Sequence, residues 1–300
     1  MSETTQDQEW SESTYSSYDG LMLYFRHYPA PKTDSAPATR PVLCLPGLTR
    51  NSKDFHVLAL HLSRNSQTPR DVFCLDHRGR GRSDYDPDWR NYSPYIELLD
   101  TLDFITITGL HHTAILGTSR GGIIAMLMAV TRPSAIGAVI LNDIGPVIET
   151  RGLARIVGYV GKTPAPDSWE DAALIVRDMF ARFFTDIPDD EWMELAHQFY
   201  MEEDGLPVPG YDLALANTLS EINLASPIPQ MWPHFDALKH VPALVLRGDN
   251  TDVLSQETVD EMAARHPGLQ TFEVQQEGHA PLLRDRRTLR VIDTFLAGAD

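Results

Sequence analysis

The stretch AILGTSRGGIIAMLMAV (114–130) runs from a short apolar segment through a glycine-flanked serine into a nearly continuous apolar segment. Its centre, Gly117-Thr118-Ser119-Arg120-Gly121-Gly122, has the form G-x-S-x-G between a predicted strand and a predicted helix. A helix N-cap would also place a serine there. The two flanking glycines favour a sharper turn, because a serine on a tight strand-to-helix elbow needs close neighbours without side chains. On such an elbow the hydroxyl stands clear of the backbone, and the helix N-terminus behind it favours developing negative charge.

The same alternation extends outward in both directions. Short apolar runs at 42–45, 72–75, 114–116, 138–141, 243–246 and 271–274 read as strands. Segments with helical spacing, 55–62, 96–107, 123–130, 257–264 and 288–296, lie between or after them. Fully apolar strands alternating with helices specify an α/β fold, a mostly parallel, doubly wound sheet covered on both faces. Residues 21–28 follow the turn signal Asp19-Gly20 and read as one strand of an early hairpin. The rhythm breaks between 144 and 233, where helices are predicted at 151–159, 169–184 and 191–201 and no strand is evident. An insertion of this length is more than an ordinary α/β loop. The predicted division is an acidic, flexible arm (1–13), a core (14–143 and 234–300) and an inserted helical cap (144–233).

Composition narrows the function. Across 300 residues there are 42 acidic and 25 Lys or Arg side chains, a formal charge of −17, so a phosphate backbone is repelled and nucleic acid is excluded as a partner. No apolar window reaches the roughly 20 residues of a membrane span, and the N-terminus lacks the basic and apolar regions of a signal peptide. These features read as a cytoplasmic protein with no membrane partner. Cys44 and Cys74 lie inside apolar runs and read as buried free thiols. No His or Cys spacing calls for a metal, and nothing calls for a cofactor. Asp76-His77-Arg78-Gly79-Arg80-Gly81-Arg82-Ser83-Asp84 is glycine-rich but fits neither G-x-G-x-x-G nor a P-loop; its arginines read as ion-paired braces.

A nucleophilic serine needs a base, and the base an orienting acid. His279, in Glu277-Gly278-His279-Ala280-Pro281 after the last strand run, is the best placed of the histidines. Three carboxylates follow strand ends at the same sheet edge: Asp252, Asp249 and Asp143. All fit the order serine, acid, histidine, and Asp252 is preferred. The oxyanion of an acyl-transfer reaction needs donors. The backbone N–H of Arg120 is one, and that of Leu48, after the Pro46-Gly47 turn, is the other. Arg50 and Asn51 offer further donors or a carboxylate clamp, or serve only to brace the loop and start a helix.

Six blocks in order, P-G-L-T-R-N-S-K-D-F (46–55), D-H-R-G-R-G-R-S-D (76–84), G-T-S-R-G-G (117–122), N-D-I-G-P (142–146), R-G-D-N-T-D-V-L-S (247–255) and E-G-H-A-P-L-L (277–283), resemble the α/β-hydrolase fold superfamily over about residues 15–298. The resemblance implies a triad of Ser119, Asp252 and His279 and an oxyanion donor at Leu48. Pro46-Gly47 replaces the His-Gly of many relatives, which removes a side chain that often braces that loop. Serine at the nucleophile position separates the chain from the aspartate-dependent epoxide hydrolases and dehalogenases, and brings it near serine esterases, enol-lactonases and carbon–carbon bond hydrolases. The expectation is a serine carboxylesterase acting on a small to medium, mostly apolar ester. A lactonase comes next, then a carbon–carbon hydrolase or a cofactor-free perhydrolase, with a non-catalytic binding protein last. Candidate pocket residues are Arg50, Asn51, Asp143, Ile144, Trp169, Phe183, Trp192 and Trp232. The sequence leaves monomer and homodimer open.

Overall fold

The apolar runs become strands because each is wider in apolar surface than one face of a sheet can hide. In the computed structural model, which describes residues 9–31 and 39–300, the chain opens with β1 (Ser11–Ser16) and β2 (Met22–Tyr28). It continues through β3 (Val42–Leu45), α1 (His56–Leu60), β4 (Val72–Leu75), α2 (Pro94–Thr108), β5 (Thr113–Thr118), α3 (Arg120–Thr131) and β6 (Ile136–Asn142). The inserted segment follows, with α4 (Thr150–Tyr159), α5 (Trp169–Phe180), α6 (Glu191–Phe199), β7 (Tyr200–Glu203), β8 (Leu206–Pro209), α7 (Ala216–Ser220) and α8 (Trp232–Asp236). The chain then returns through β9 (Ala243–Gly248), α9 (Gln256–Arg265), β10 (Leu269–Val274) and α10 (Arg286–Ala299).

The main sheet has eight strands in the order β1-β2-β4-β3-β5-β6-β9-β10. The β1–β2 and β2–β4 pairs are antiparallel and every other pair is parallel. Side chains alternate across the pleat. Leu43 and Leu45 enter a core under α2, α3, α8 and α9, while Val42 and Cys44 enter the opposite one under α1 and α10. This is the doubly wound α/β arrangement the sequence predicts. Both cysteines are buried and free. Among the described residues no helix is long and apolar enough to cross a membrane.

The inserted segment carries its own apolar cluster, including Val176, Phe180, Phe184, Trp192 and Leu195. It departs from the sequence reading in two places. First, α5 stops at Phe180, and the chain beyond it is held to the core by Thr185 N–H donating to the Gln276 carbonyl at 3.0 Å. Second, α6 ends at Phe199 and passes into the β7–β8 hairpin, closed by Asp204 and Gly205, both at positive φ. That is the two-residue turn an Asp-Gly pair favours. At the N-terminus, residues 11–13, read as part of a loose arm, pair in register with β2 instead. Residues 1–8 of that arm lie outside the described residues, as do 32–38 of the Pro-rich loop.

Candidate active site

Parallel strands bring their C-terminal ends to one edge, and the segments leaving β3, β5, β6, β9 and β10 at that edge build the site. Ser119 follows β5 at φ 51° and ψ −109°, in the left-handed region that side chains avoid. The strain is held by close packing: a Cβ at Gly121 would lie 2.1 Å from the Leu45 carbonyl oxygen, so only glycine lets α3 come this near β3. The elbow is pinned by Ser119 N–H donating to the Asn142 carbonyl at 3.1 Å.

The Ser119 hydroxyl oxygen lies 2.8 Å from His279 Nε2. His279 Nδ1 lies 2.8 Å from a carboxylate oxygen, and the carboxylate is that of Asp143, not Asp252. Asp143 follows β6 at φ 54° and is wholly buried. Its Oδ1 accepts from Gly248 N–H at 2.9 Å, and its Oδ2 accepts the Thr251 hydroxyl at 2.5 Å as well as the imidazole. Three donors therefore surround one carboxylate, which fixes its orientation toward the ring.

Asp252 is engaged elsewhere. Arg155 on α4 grips it in a two-point pair, Nε to Oδ2 and Nη2 to Oδ1, each 2.7 Å. Burial works to raise the Asp252 pKa, but the Arg155 hydrogen bonds and charge overrule it and hold the carboxyl below its ordinary value. The loop after β9 thus contributes Thr251 as a partner of Asp143. Asp252 serves to anchor α4. Asp249, the other candidate, extends the loop start, its N–H donating to the Val274 carbonyl at 2.9 Å.

The loop after β3 passes directly over Ser119. A Cβ at Gly47 would stand 3.8 Å from the Ser119 Cβ and 3.3 Å from Arg50 Cγ. The backbone N–H groups of Leu48 and Arg120 donate to no acceptor among the described residues. The missing His-Gly brace is replaced from the arginine block: Arg80 Nε donates to the Leu48 carbonyl at 2.8 Å. Arg80 is itself wholly buried and ion-paired at 2.7 Å with Glu97 on α2, which lies 3.6 Å from Arg120. Burial works against ionising Glu97, and the Arg80 and Arg120 charges overrule it, leaving the carboxyl below its ordinary pKa. The other arginines of the block also brace: Arg78 binds Asp100, Asp86 and Asp19, and Arg82 pairs with Glu12. Sequence reasoning recognised the bracing but missed its target at Leu48, since Arg80 and Leu48 are far apart in the chain. Removing one partner of a buried pair strands the other charge. Glu97→Ala is accordingly expected to lower stability by about 3–5 kcal/mol in a urea melt.

A cavity opens beside Ser119 and His279 and encloses about 880 Å³ counting its mouth. Phe180, Phe184, Trp192, Leu195 and Phe199 supply its apolar wall, and Arg50 and Asp54 its polar one. Of the predicted pocket residues, Arg50 and Trp192 line this cavity and Ile144 lines a neighbouring groove. The others do different work. Asn51 is buried and caps a short helical turn, its side chain accepting from Lys53 N–H. Asp143 is the carboxylate behind His279. Trp169 packs on His197, with ring centroids 3.8 Å apart. Phe183 lies under the Arg155 and Arg182 guanidinium groups, and Trp232 under that of Arg265. Phe184, the neighbour of Phe183, is the wall residue instead, four positions after Phe180 and tied back to it by Phe184 N–H donating to the Phe180 carbonyl at 3.0 Å. No cluster of His, Cys, Asp and Glu among the described residues is arranged to hold a metal ion.

Known proteins resemble this chain in sequence and fold. A 3-hydroxybutyrate-oligomer hydrolase from Cupriavidus necator is 30% identical over 272 residues, covering 87% of this chain and 89% of that protein. The crystal structure of an alpha/beta hydrolase from Novosphingobium aromaticivorans superposes with a TM-score of 0.87 at 36% identity, covering 96% of this chain and 98% of that one. An esterase from Exiguobacterium antarcticum shares the fold at 16% identity, with a TM-score of 0.70 over 95% of this chain and 99% of that one. The family model of the alpha/beta hydrolase fold matches residues 40–285, and with the strand order and elbow described above, the chain belongs to that family of hydrolases.

Proposed function

We propose that the chain is a serine-dependent carboxylic ester hydrolase acting on a small to medium, mostly apolar ester, with the inserted segment as a cap over the site. The observation that carries the reading is the continuous line from Ser119 Oγ through His279 to Asp143, two contacts of 2.8 Å each. His279 takes the Ser119 proton as the oxygen adds to the ester carbonyl carbon. The unpartnered N–H groups of Leu48 and Arg120 receive the oxyanion. His279 then protonates the leaving alcohol and activates the water that frees the acyl group. Asp143 keeps Nδ1 protonated, so that Nε2 is the basic nitrogen, and stabilises the imidazolium. The relative named for 3-hydroxybutyrate oligomers, whose repeating bond is an ester, supports the same chemistry.

The test is hydrolysis of p-nitrophenyl esters beside γ- and δ-lactones, with Ser119→Ala as control. Ester cleavage that disappears in the variant supports the reading. Equal rates in both proteins overturn it, and lactone turnover far above ester turnover shifts it to a lactonase.

A further inference from the structure

Two cavities meet at Ser119, and only one of them includes His279. The first is the aromatic cavity, whose walls Phe180, Phe184, Trp192 and Leu195 are buried. The second is a groove of about 1780 Å³ counting its mouth, which shares Leu48 and Ser119 with the first and runs over Ile123, Ile144 and Ile148. Its rim includes Glu221, Asn223, Pro227 and Pro229, all solvent-exposed. The first cavity is polar at one wall, formed by Arg50 and Asp54; the second is apolar along its floor.

The chemistry assigns the two arms of an ester to these spaces. The Ser119 Oγ–C bond forms as the Ser119 proton passes to His279 Nε2. When the tetrahedral species collapses, the bond between the carbonyl carbon and the alkoxy oxygen breaks. The same proton then goes from Nε2 to that oxygen, and the alcohol leaves. The leaving oxygen must therefore sit on the His279 side of Ser119, and the acyl chain on the other. We propose that the alcohol part of the substrate fills the aromatic cavity, that the acyl part lies in the open groove, and that Arg50 binds a carboxyl oxygen carried by the alcohol.

Arg50 carries the last clause. Its Nε donates to Asp54 Oδ2 at 2.8 Å and its Nη2 to Asp54 Oδ1, and its guanidinium lies 3.3 Å from the Phe199 ring centroid. Its third nitrogen, Nη1, is buried and has no hydrogen-bond partner among the described residues. A buried donor without an acceptor is costly, and here it belongs to a side chain lining the alcohol-side cavity. Asp54 offsets the guanidinium charge, so Nη1 is suited to an ester carbonyl as well as to a carboxylate. The leaving group is then a hydroxy acid, free or esterified onward.

This inference rests on Ser119 being the nucleophile, and its experiment separates the two. Butanoyl esters of methyl 3-hydroxybutanoate, of 3-hydroxybutanoate and of 2-pentanol are compared, together with esters in which either arm is lengthened from butyl to decyl. The wild type is expected to favour at least one carboxyl-bearing alcohol over 2-pentanol by at least about tenfold in kcat/KM, the scale of a hydrogen bond from a charged donor. The two carboxyl-bearing esters show whether the acceptor is the carbonyl or the carboxylate. In Arg50→Met, and in Arg50→Met/Asp54→Leu, which leaves no stranded carboxylate, that preference falls toward one. Lengthening the alcohol lowers wild-type kcat/KM more than lengthening the acyl chain. A preference unchanged in both variants overturns the role of Arg50, and the opposite length dependence overturns the assignment of the arms, with ester hydrolysis itself intact. Absence of any Ser119-dependent hydrolysis overturns the underlying reading instead.

Discussion

Asp143→Asn lowers kcat for ester hydrolysis by about 10⁴-fold, the loss expected when the triad acid can no longer set the histidine tautomer. Gly248 N–H and Thr251 Oγ–H both donate to the carboxylate. An asparagine in its place must turn its NH₂ either toward Gly248 N–H or toward Thr251 and the ring together. With the NH₂ against Nδ1, the ring proton moves to Nε2, and Nε2 can no longer accept from the Ser119 hydroxyl. Asp252→Ala is the paired control. It leaves Arg155, whose side chain is 11% exposed, without its carboxylate, at a cost of about 3–5 kcal/mol in stability, and lowers kcat by no more than about tenfold. Steady-state kinetics and urea melts on the two variants separate the roles. Loss of kcat in Asp252→Ala with activity retained in Asp143→Asn would return the acid to Asp252.

Ser119→Ala carries the largest expected loss, roughly 10⁶-fold in kcat, with residual activity from substrate binding and the oxyanion donors. The fold tolerates the change. Among the described residues Ser119 Oγ has one side-chain hydrogen bond, to His279, and the strained backbone is fixed by the glycine packing and by Asn142. Alanine meets the same φ penalty as serine, so the melting temperature should shift by only a few degrees. A variant that unfolds would make Ser119 a structural residue, and one that keeps wild-type rates would remove it from the chemistry.

The core and the elbow that carries Ser119 were legible in the sequence because their signals are local. A fully apolar strand, a glycine-flanked serine and an apolar helix occur within one stretch, 114–130. His279 was legible for a similar reason, as a histidine directly after the last strand run. The acid was not. β6 and β9 pair side by side, with Asn142 opposite Leu246, so Asp143 and the loop holding Asp252 emerge at neighbouring points of one edge. What separates them is the left-handed turn at Asp143 and the grip of Arg155 on Asp252, and neither is local. Arg155 lies nearly 100 positions away, on the inserted segment. The aromatic wall was legible as a class, since the insert is rich in Trp and Phe, but not by residue. Phe183 is taken up by the Arg155 and Arg182 guanidinium groups, and the first of these lies far away in the sequence. The β7–β8 hairpin had its turn signal in Asp204-Gly205, but its strands are too short and polar to show a period.

The central claim, that Ser119 is a nucleophile activated by His279 and Asp143, is tested most directly by exposing the folded protein to a fluorophosphonate and locating the adduct by peptide mass spectrometry. The expected result is one phosphonyl group per chain, on Ser119, with fluoride lost and with labelling strongly slowed in Asp143→Asn but not in Asp252→Ala. An adduct on another residue, or an unmodified Ser119 in protein that still hydrolyses esters, would contradict it.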